Sequence, residues 1–309
     1  VNTTLLRIFS LLMLAPLLQG CFFTGVESTP RITGRDVRRE AVVPAPEDSY
    51  LAKVGDLPFS RWTPGKEFMV TDSRISRIFG ASAVDASPVP GDMLRYRSAE
   101  ESASVTGGTV TDISFLTSGG DVLSYRVNKP LSRLMADSVT EVPFTIQMSV
   151  IEDARRLMEG KEFYILTSSW RDDADTPVSG RKFIPVHIDS VAPGNLLFPI
   201  KVAFTDKDGN SARIFIHPGG KWEAPRTFSR VFSFTDPYLR YRHIPPEHWK
   251  LIIDGRVADG MTIEECRLSL GSPKEVDRGA SNSFVREAWL YENGVFLLFE
   301  DGLLKRYRH

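Results

Sequence analysis

A short phrase occurs twice in this chain. Gly65-Lys66-Glu67-Phe68 returns as Gly160-Lys161-Glu162-Phe163, 95 positions on. The likeness continues at a spacing of 89: Gly91 answers Gly180, Leu94 answers Phe183, and Ile113-Ser114-Phe115 answers Val202-Ala203-Phe204. Gly120 then answers Gly209, Tyr125 answers Ile214, and Val127 answers Ile216. A single six-residue length change between Gly65 and Gly91 reconciles the two spacings. Such a pattern marks duplication, and duplication constrains the fold, because one small architecture must satisfy both stretches. The copies are read as residues 58–135 and 149–220.

Each copy is expected to be β-rich. Ile113-Ser114-Phe115-Leu116, the turn Gly119-Gly120-Asp121, and residues 122–127 make a hairpin pattern. The second copy repeats it with residues 201–204, the turn Asp206-Lys207-Asp208-Gly209-Asn210, and residues 212–216. Glycine supplies the positive φ that such turns need. About five short strands in roughly seventy residues suit a small barrel or curled sheet. In size and pattern this resembles the Src-homology-like and bacterial cell-wall-binding barrels. A helix is expected to join the copies. Ser149 and Glu152 form its capping box, Ile151, Ala154, Leu157 and Met158 share a face, and Gly160 stops it.

Residues 245–309 carry sharper punctuation. Pro245-Pro246 opens a helix that Gly255 ends. Thr262 caps a second helix with Glu265 closing the capping box, Met261 staples against Cys266, and Gly271 and Pro273 stop it. Three strands follow, residues 284–291, 295–299 and 303–307, turning at Asn293-Gly294 and Asp301-Gly302. The expected fold class is therefore mainly β with an α+β C-terminus: two tandem small β-barrel-like repeats, then a two-helix, three-stranded antiparallel sheet.

Trp249-Lys250-Leu251-Ile252-Ile253-Asp254-Gly255, Gly260-Met261-Thr262-Ile263-Glu264-Glu265, Leu270-Gly271-Ser272-Pro273, Trp289-Leu290-Tyr291 and Phe299-Glu300-Asp301-Gly302 together resemble the BamE/SmpA-like lipoprotein domain. The resemblance implies two helices packed on a three-stranded sheet and a role in protein contact. Members of that family serve in outer-membrane protein assembly, and a doubled form inhibits β-lactamase. The resemblance brings no catalytic residue with it.

The other end of the chain speaks to address. Arg7 precedes an apolar run, residues 8–18, too short to span a bilayer but suited to a secretory signal. Leu18-Gln19-Gly20-Cys21 closes it and resembles the lipobox of bacterial lipoproteins. That resemblance implies removal of residues 1–20 and acylation of Cys21. An ordinary cleaved signal with a coincidental cysteine is the plainer alternative. Residues 21–57 are polar, broken by Pro30, Pro44 and Pro46 and followed by Pro58, and read as a flexible tether.

Thirty-eight Lys and Arg balance 39 Asp and Glu, with no basic stripe, so nucleic acid is not an expected partner. If Cys21 is acylated, Cys266 has no second cysteine to pair with, so burial of apolar surface must stabilise the fold without a disulfide.

Candidate chemistry is sparse. His243 and His248 flank Pro245-Pro246-Glu247, and the prolines break the helical spacing that zinc enzymes use. His187 and His217 fall in strands of the second copy and read as outward or hydrogen-bonded residues. The stretch from Asp206 to Asn210 looks like the start of a calcium loop, but its glycine comes too early and position twelve is His217. Asp172, Asp173 and Asp175, after Trp170, form the best acidic cluster, readable as calcium ligands or as an acid/base pair. An acidic solvated loop is the blander reading. Trp62 and Trp170 are candidates to line ligand grooves. Cys266 sits on the core face of a helix, where thiols are inert. No nucleophile elbow, phosphate loop or zinc motif occurs.

The expectation is thus a noncatalytic lipoprotein without cofactor or metal. It is anchored to the outer membrane on the periplasmic face, and is an adaptor or scaffold binding envelope proteins, peptidoglycan or other glycan. A surface-exposed glycan-binding lipoprotein, or an envelope hydrolase using Asp172, Asp173 and Asp175, are the alternatives.

Overall fold

The computed structural model describes residues 45–79, 87–104, 107–219, 224, 226–281 and 284–308. Cys21 and the leader lie outside the described residues. The described chain opens with a helical turn, α1 (Pro46–Ser49), that leads into Tyr50, Leu51 and Val54. Leu51 and Val54 are buried, and Tyr50 packs its ring against Phe163, Phe228 and Phe234. Residues 45–57, assigned above to the tether, therefore belong to the folded body.

The first copy runs β1 (Glu67–Val70), α2 (Ser76–Phe79), β2 (Met93–Ala103), β3 (Thr109–Leu116), β4 (Val122–Val127), α3 (Leu131–Ala136) and β5 (Thr145–Gln147). Its antiparallel sheet has the order β4-β3-β2-β1-β5. Helix α4 (Met148–Met158) follows β5 without a loop. The second copy runs β6 (Glu162–Ile165), β7 (Ser169–Arg171), β8 (Pro177–Ser179), β9 (Ile184–Pro193), β10 (Ile200–Asp206), β11 (Ser211–Ile216), α5 (Phe228–Val231) and β12 (Phe232–Ser233). Its order is β12-β6-β9-β10-β11-β7-β8, the first copy's order with one hairpin added at the far edge.

The equivalence extends to single bonds. Gly65 N donates to the Tyr96 carbonyl at 2.8 Å and Gly160 N to that of Ile188 at 2.9 Å. Tyr96 N and Ile188 N return bonds to Lys66 and Lys161, both at 2.9 Å. Tyr96 faces Phe115 across the sheet as Ile188 faces Phe204, and each pairing is followed by a bulge. Tyr96 thus matches Ile188 at a spacing of 92, and Phe115 matches Phe204 at 89. The six-residue change is two steps of three, on either side of β2. This register pairs Leu94 with Val186 instead of Phe183, and Gly91 and Gly180 are not equivalent.

Neither sheet closes into a barrel, which corrects the barrel-like expectation. The three-residue β5 and two-residue β12 each pair with one neighbour and leave the far edge unbridged. The expected capping box of α4 is also absent. Gln147, the last residue of β5, is the N-cap, and Ser149 instead accepts a bond from Lys66 Nζ at 2.9 Å. The connection between β1 and β2 packs α2 on β4, whereas the corresponding connection in the second copy pairs β7 with β11.

Two apolar cores serve the copies. The first centres on Phe68, Ile113, Phe115 and Leu123; the second packs β6, β9, β10 and β11 under α4. Alternation explains both, since β10 buries Ile200, Val202 and Phe204 and leaves Lys201 and Ala203 on the other face. Ile146 of β5 packs into the second core, so the copies are joined by burial and not only by chain.

The C-terminal part is β-rich. Helices α6 (Pro246–Ile253) and α7 (Ile263–Leu270) precede β13 (Glu275–Ser281), β14 (Phe284–Leu290), β15 (Phe296–Glu300) and β16 (Leu303–Arg308), an antiparallel sheet in sequence order. The two-helix, three-stranded unit is thereby corrected to a four-stranded sheet. The unforeseen strand β13 reads Glu-Val-Asp-Arg-Gly-Ala-Ser, charged and broken by Gly279, with no alternation to announce it. Thr262 and Glu265 do form the reciprocal cap of α7: Glu265 N donates to Thr262 Oγ1 at 3.2 Å, and Thr262 N to Glu265 Oε2 at 2.6 Å.

Lys182 and Phe183 of the second copy hold this part in place. Phe183 has φ of 59°, a rare left-handed backbone for an aromatic residue, and its ring stacks on Trp249 at 5.4 Å. Lys182 is buried, and its Nζ donates to the Ser269 carbonyl in the last turn of α7, where the helix end is partly negative. Burial lowers the Lys182 ammonium to about 8, below its ordinary 10.5. Between those values the unfolded chain binds more protons than the folded one, so stability rises with pH across that window. Lys182→Met is expected to remove this rise, checked by urea-unfolding midpoints at the two ends of the window.

Candidate functional site

The two candidate tryptophans are in the cores. Trp62 is 8% exposed, packs against Phe59, Phe68 and Tyr96, and donates Nε1–H to the Leu57 carbonyl at 3.1 Å. Trp170 is 6% exposed, meets Phe204 edge-on, and donates to the Thr167 carbonyl at 2.8 Å. Gly180 lies on the Trp170 ring so closely that a Cβ there would stand 2.0 Å from it. Both indoles are largely buried; Trp170 still lines a depression of about 400 Å³ with Asp172, Gly180, Arg181 and Asp206.

The aspartate cluster divides into three separate tasks. Asp172 Oδ1 accepts the backbone N–H of Ala174 and of Thr176, closing the β7–β8 turn. Asp173 is exposed and pairs with Arg213 at 3.1 Å; Asp175 pairs with Lys201 at 2.9 Å. Partners that differ for every carboxylate make a cross-braced hairpin, not a shared acid/base site.

The Asp206 turn is likewise self-contained. Asp206 Oδ1 accepts from Asp208 N and Asn210 N, both at 2.9 Å, and Oδ2 accepts from Arg181 at 2.9 Å. Burial pushes this carboxyl up, but the bonds from Asn210, Arg181 and the two amides outweigh it and hold it at about 2. His243 and His248 meet different carboxylates of α7, Glu264 at 3.3 Å and Glu265 at 3.0 Å. His187 is exposed, and His217 Nδ1 accepts Gly219 N at 3.0 Å. Burial and the neighbouring Glu265 push the Cys266 thiol up to about 12, far from a nucleophile's range. Among the described residues no three His, Cys, Asp or Glu stand where they would hold a metal ion.

What sequence reading missed is a cleft where the two copies meet. It has a volume of about 480 Å³ and is lined by residues 52 and 54–56, 139 and 141–147, 150, 196, 199 and 217–219. Its floor includes β5, the outermost strand of the first sheet. Val139 and Leu196, 50% and 46% exposed, line it, and so do Asp56 and Glu141. Phe144 holds a left-handed backbone there, φ 65°, clamped because its carbonyl accepts both Thr71 N and Thr71 Oγ1 at 2.9 Å. Pro143-Phe144 and Leu196-Leu197-Phe198, apolar runs outside the strands and helices, are the signal in the sequence that could have pointed to the cleft.

The depressed Asp206 carboxyl contributes stability at neutral pH that is lost as pH falls from 3.8 through about 2. Asp206→Asn is expected to lower stability at neutral pH and to flatten the acid limb over that window. Chemical denaturation at a series of pH values checks this.

No protein-family model matches this chain, and no curated protein matches it.

Proposed function

We propose that this chain is a noncatalytic adaptor, anchored in the outer membrane through an acylated Cys21 and facing the periplasm, that holds an extended segment of an envelope protein or a strand of cell-wall polymer. The observation that carries the reading is the cleft at the junction of the two copies, with β5 presenting a sheet edge inside it. A sheet edge offers main-chain hydrogen bonds to an extended chain, and apolar walls add area at low cost. Glu141, exposed in the cleft lining, favours a partner with basic residues. The separate bracing roles of Asp172, Asp173 and Asp175 also favour binding over hydrolysis. The resemblance of residues 245–309 to the BamE/SmpA-like lipoprotein domain belongs to the same proposal, as a source of protein contact.

A photo-reactive residue at Val139 or Leu196, introduced in living cells, is expected to cross-link to an envelope protein, whereas one at exposed Leu239, away from the cleft, is not. If neither cleft position captures a partner, and pull-downs on peptidoglycan recover nothing, the proposal fails.

Cys21→Ser is expected to move the protein from the membrane fraction to the soluble periplasm. Retention in the membrane would exclude anchoring at Cys21. Protease treatment of intact cells is expected to leave the protein whole; cleavage would place it on the outer surface.

A further inference from the structure

Strand β11 places Ala212, Ile214 and Ile216 in the second core, so Phe215 belongs to the opposite face, where solvent is expected. Yet Phe215 is only 8% exposed. Arg171 Cζ lies 5.6 Å and Lys201 Nζ 5.3 Å from its ring centre. The loop of residues 194–199 covers the rest. At Gly194 a Cβ would sit 2.2 Å from the Phe198 carbonyl and 3.0 Å from the Phe215 ring, so only glycine lets the loop close down. Asn195 Oδ1 pins it by accepting Leu197 N and Phe198 N at 3.0 and 2.9 Å. The outcome is a depression of about 350 Å³ between this loop and the β7–β8 turn.

Its charges are unbalanced. Arg171 and Arg226 both line it, Arg226 with Cζ 5.5 Å from the Phe198 ring, and among the described residues neither has a carboxylate partner. Arg171 donates to the Asp175 carbonyl and Arg226 to Ser169 Oγ. Asp175, also in the lining, spends one carboxylate oxygen on Lys201, while the other, Oδ1, is shut off from water with no donor. Leaving such an oxygen unsatisfied is costly, so the β7–β8 turn carries strain beside the depression. Asp175 and Arg226 also hold left-handed backbones, φ 60° and 54°, and strain gathers at binding sites.

The first copy supplies the contrast. The cross-strand pair equivalent to Lys201 and Phe215 is Asp112 and Arg126, an ordinary ion pair at 2.7 Å. At this place in the shared register the first copy has an ion pair and the second has the covered ring of Phe215.

We propose that this pocket binds the C-terminal residue of a peptide. The carboxylate lies between the Arg171 and Arg226 guanidiniums, and an apolar side chain meets Phe198 and Phe215. Guanidinium pairs suit a planar carboxylate, and the two rings beside them suit one that carries an apolar side chain, which a simple anion lacks. The assignment does not rest on the cleft reading, since Leu196 and Pro199 line the cleft and Leu197 and Phe198 line this pocket.

The test is calorimetric titration of the full mature chain carrying Cys21→Ser with an acetylated tripeptide ending in leucine. The free acid is expected to bind. Its C-terminal amide is expected to bind roughly tenfold more weakly or worse. Arg226→Gly, which suits a positive φ and so leaves the urea midpoint in place, is expected to weaken the free acid by a similar factor. Equal affinity for acid and amide, or no loss in Arg226→Gly, overturns the proposal. Inorganic phosphate binding as tightly as the acid also overturns it, in favour of a general anion site.

Discussion

Gln147 is where the architecture is joined. It is buried, its side-chain oxygen accepts Leu57 N at 2.9 Å, and its amide donates to the Thr140 carbonyl at 2.7 Å. A buried amide with both ends satisfied is a strong geometric lock, because any shift would strand a polar group in apolar surroundings. The locked residue ends β5, which borders the first sheet, and caps α4, which roofs the second. Strand and helix meet with no loop, so the position of one sheet dictates that of the other. Ile146 in the second core and Lys66 on Ser149 follow from that junction. The cleft follows from it too, since it opens where β5 turns away from the second sheet.

Duplication explains the economy of the rest. Both copies use one strand order, one bulge and one pair of glycine-anchored backbone bonds, so they share a curled sheet whose physics was solved once. What differs is placed where the shared frame tolerates it. Between the first two strands of each copy the chain leaves the sheet, packing as α2 against β4 in one copy and pairing as β7–β8 with β11 in the other. The loop between the second and third strands became, in the second copy, a pinned cover over Phe215. On one shared frame, an ion pair in the first copy stands where the second has a cation-covered ring.

Strain is spent at junctions. Phe144 stands in the cleft, Phe183 at the dock for the C-terminal sheet, and Asp175 and Arg226 in the second copy's pocket, all with positive φ outside glycine. Each is held by contacts from elsewhere: Thr71 on Phe144, Trp249 on Phe183, Lys201 on Asp175, Phe198 under Arg226. Such backbones persist only where surrounding structure outweighs their cost.

Local features of the chain were readable without coordinates. The repeat, the hairpin turns at Gly120 and Gly209, the Thr262–Glu265 cap and the prolines around α6 are local matters, set by periodicity and turn chemistry within a few residues. Errors arose wherever a residue's role depended on distant partners. Trp62 and Trp170 look like binding aromatics until the sheets curl round them. Ser149 looks like a cap until Gln147 takes that place. Strand β13 has no pattern of its own and exists because β14 offers it an edge. The cleft and the pocket under Arg171 and Arg226 combine residues from segments far apart in the chain, and no spacing rule links them. The sequence by itself determined that there would be two β copies and a punctuated C-terminal part, since those follow from local bonding. Only the tertiary structure decided where the copies meet and which side chains are left with unspent hydrogen bonds and charge, because burial and pairing are properties of the packed molecule.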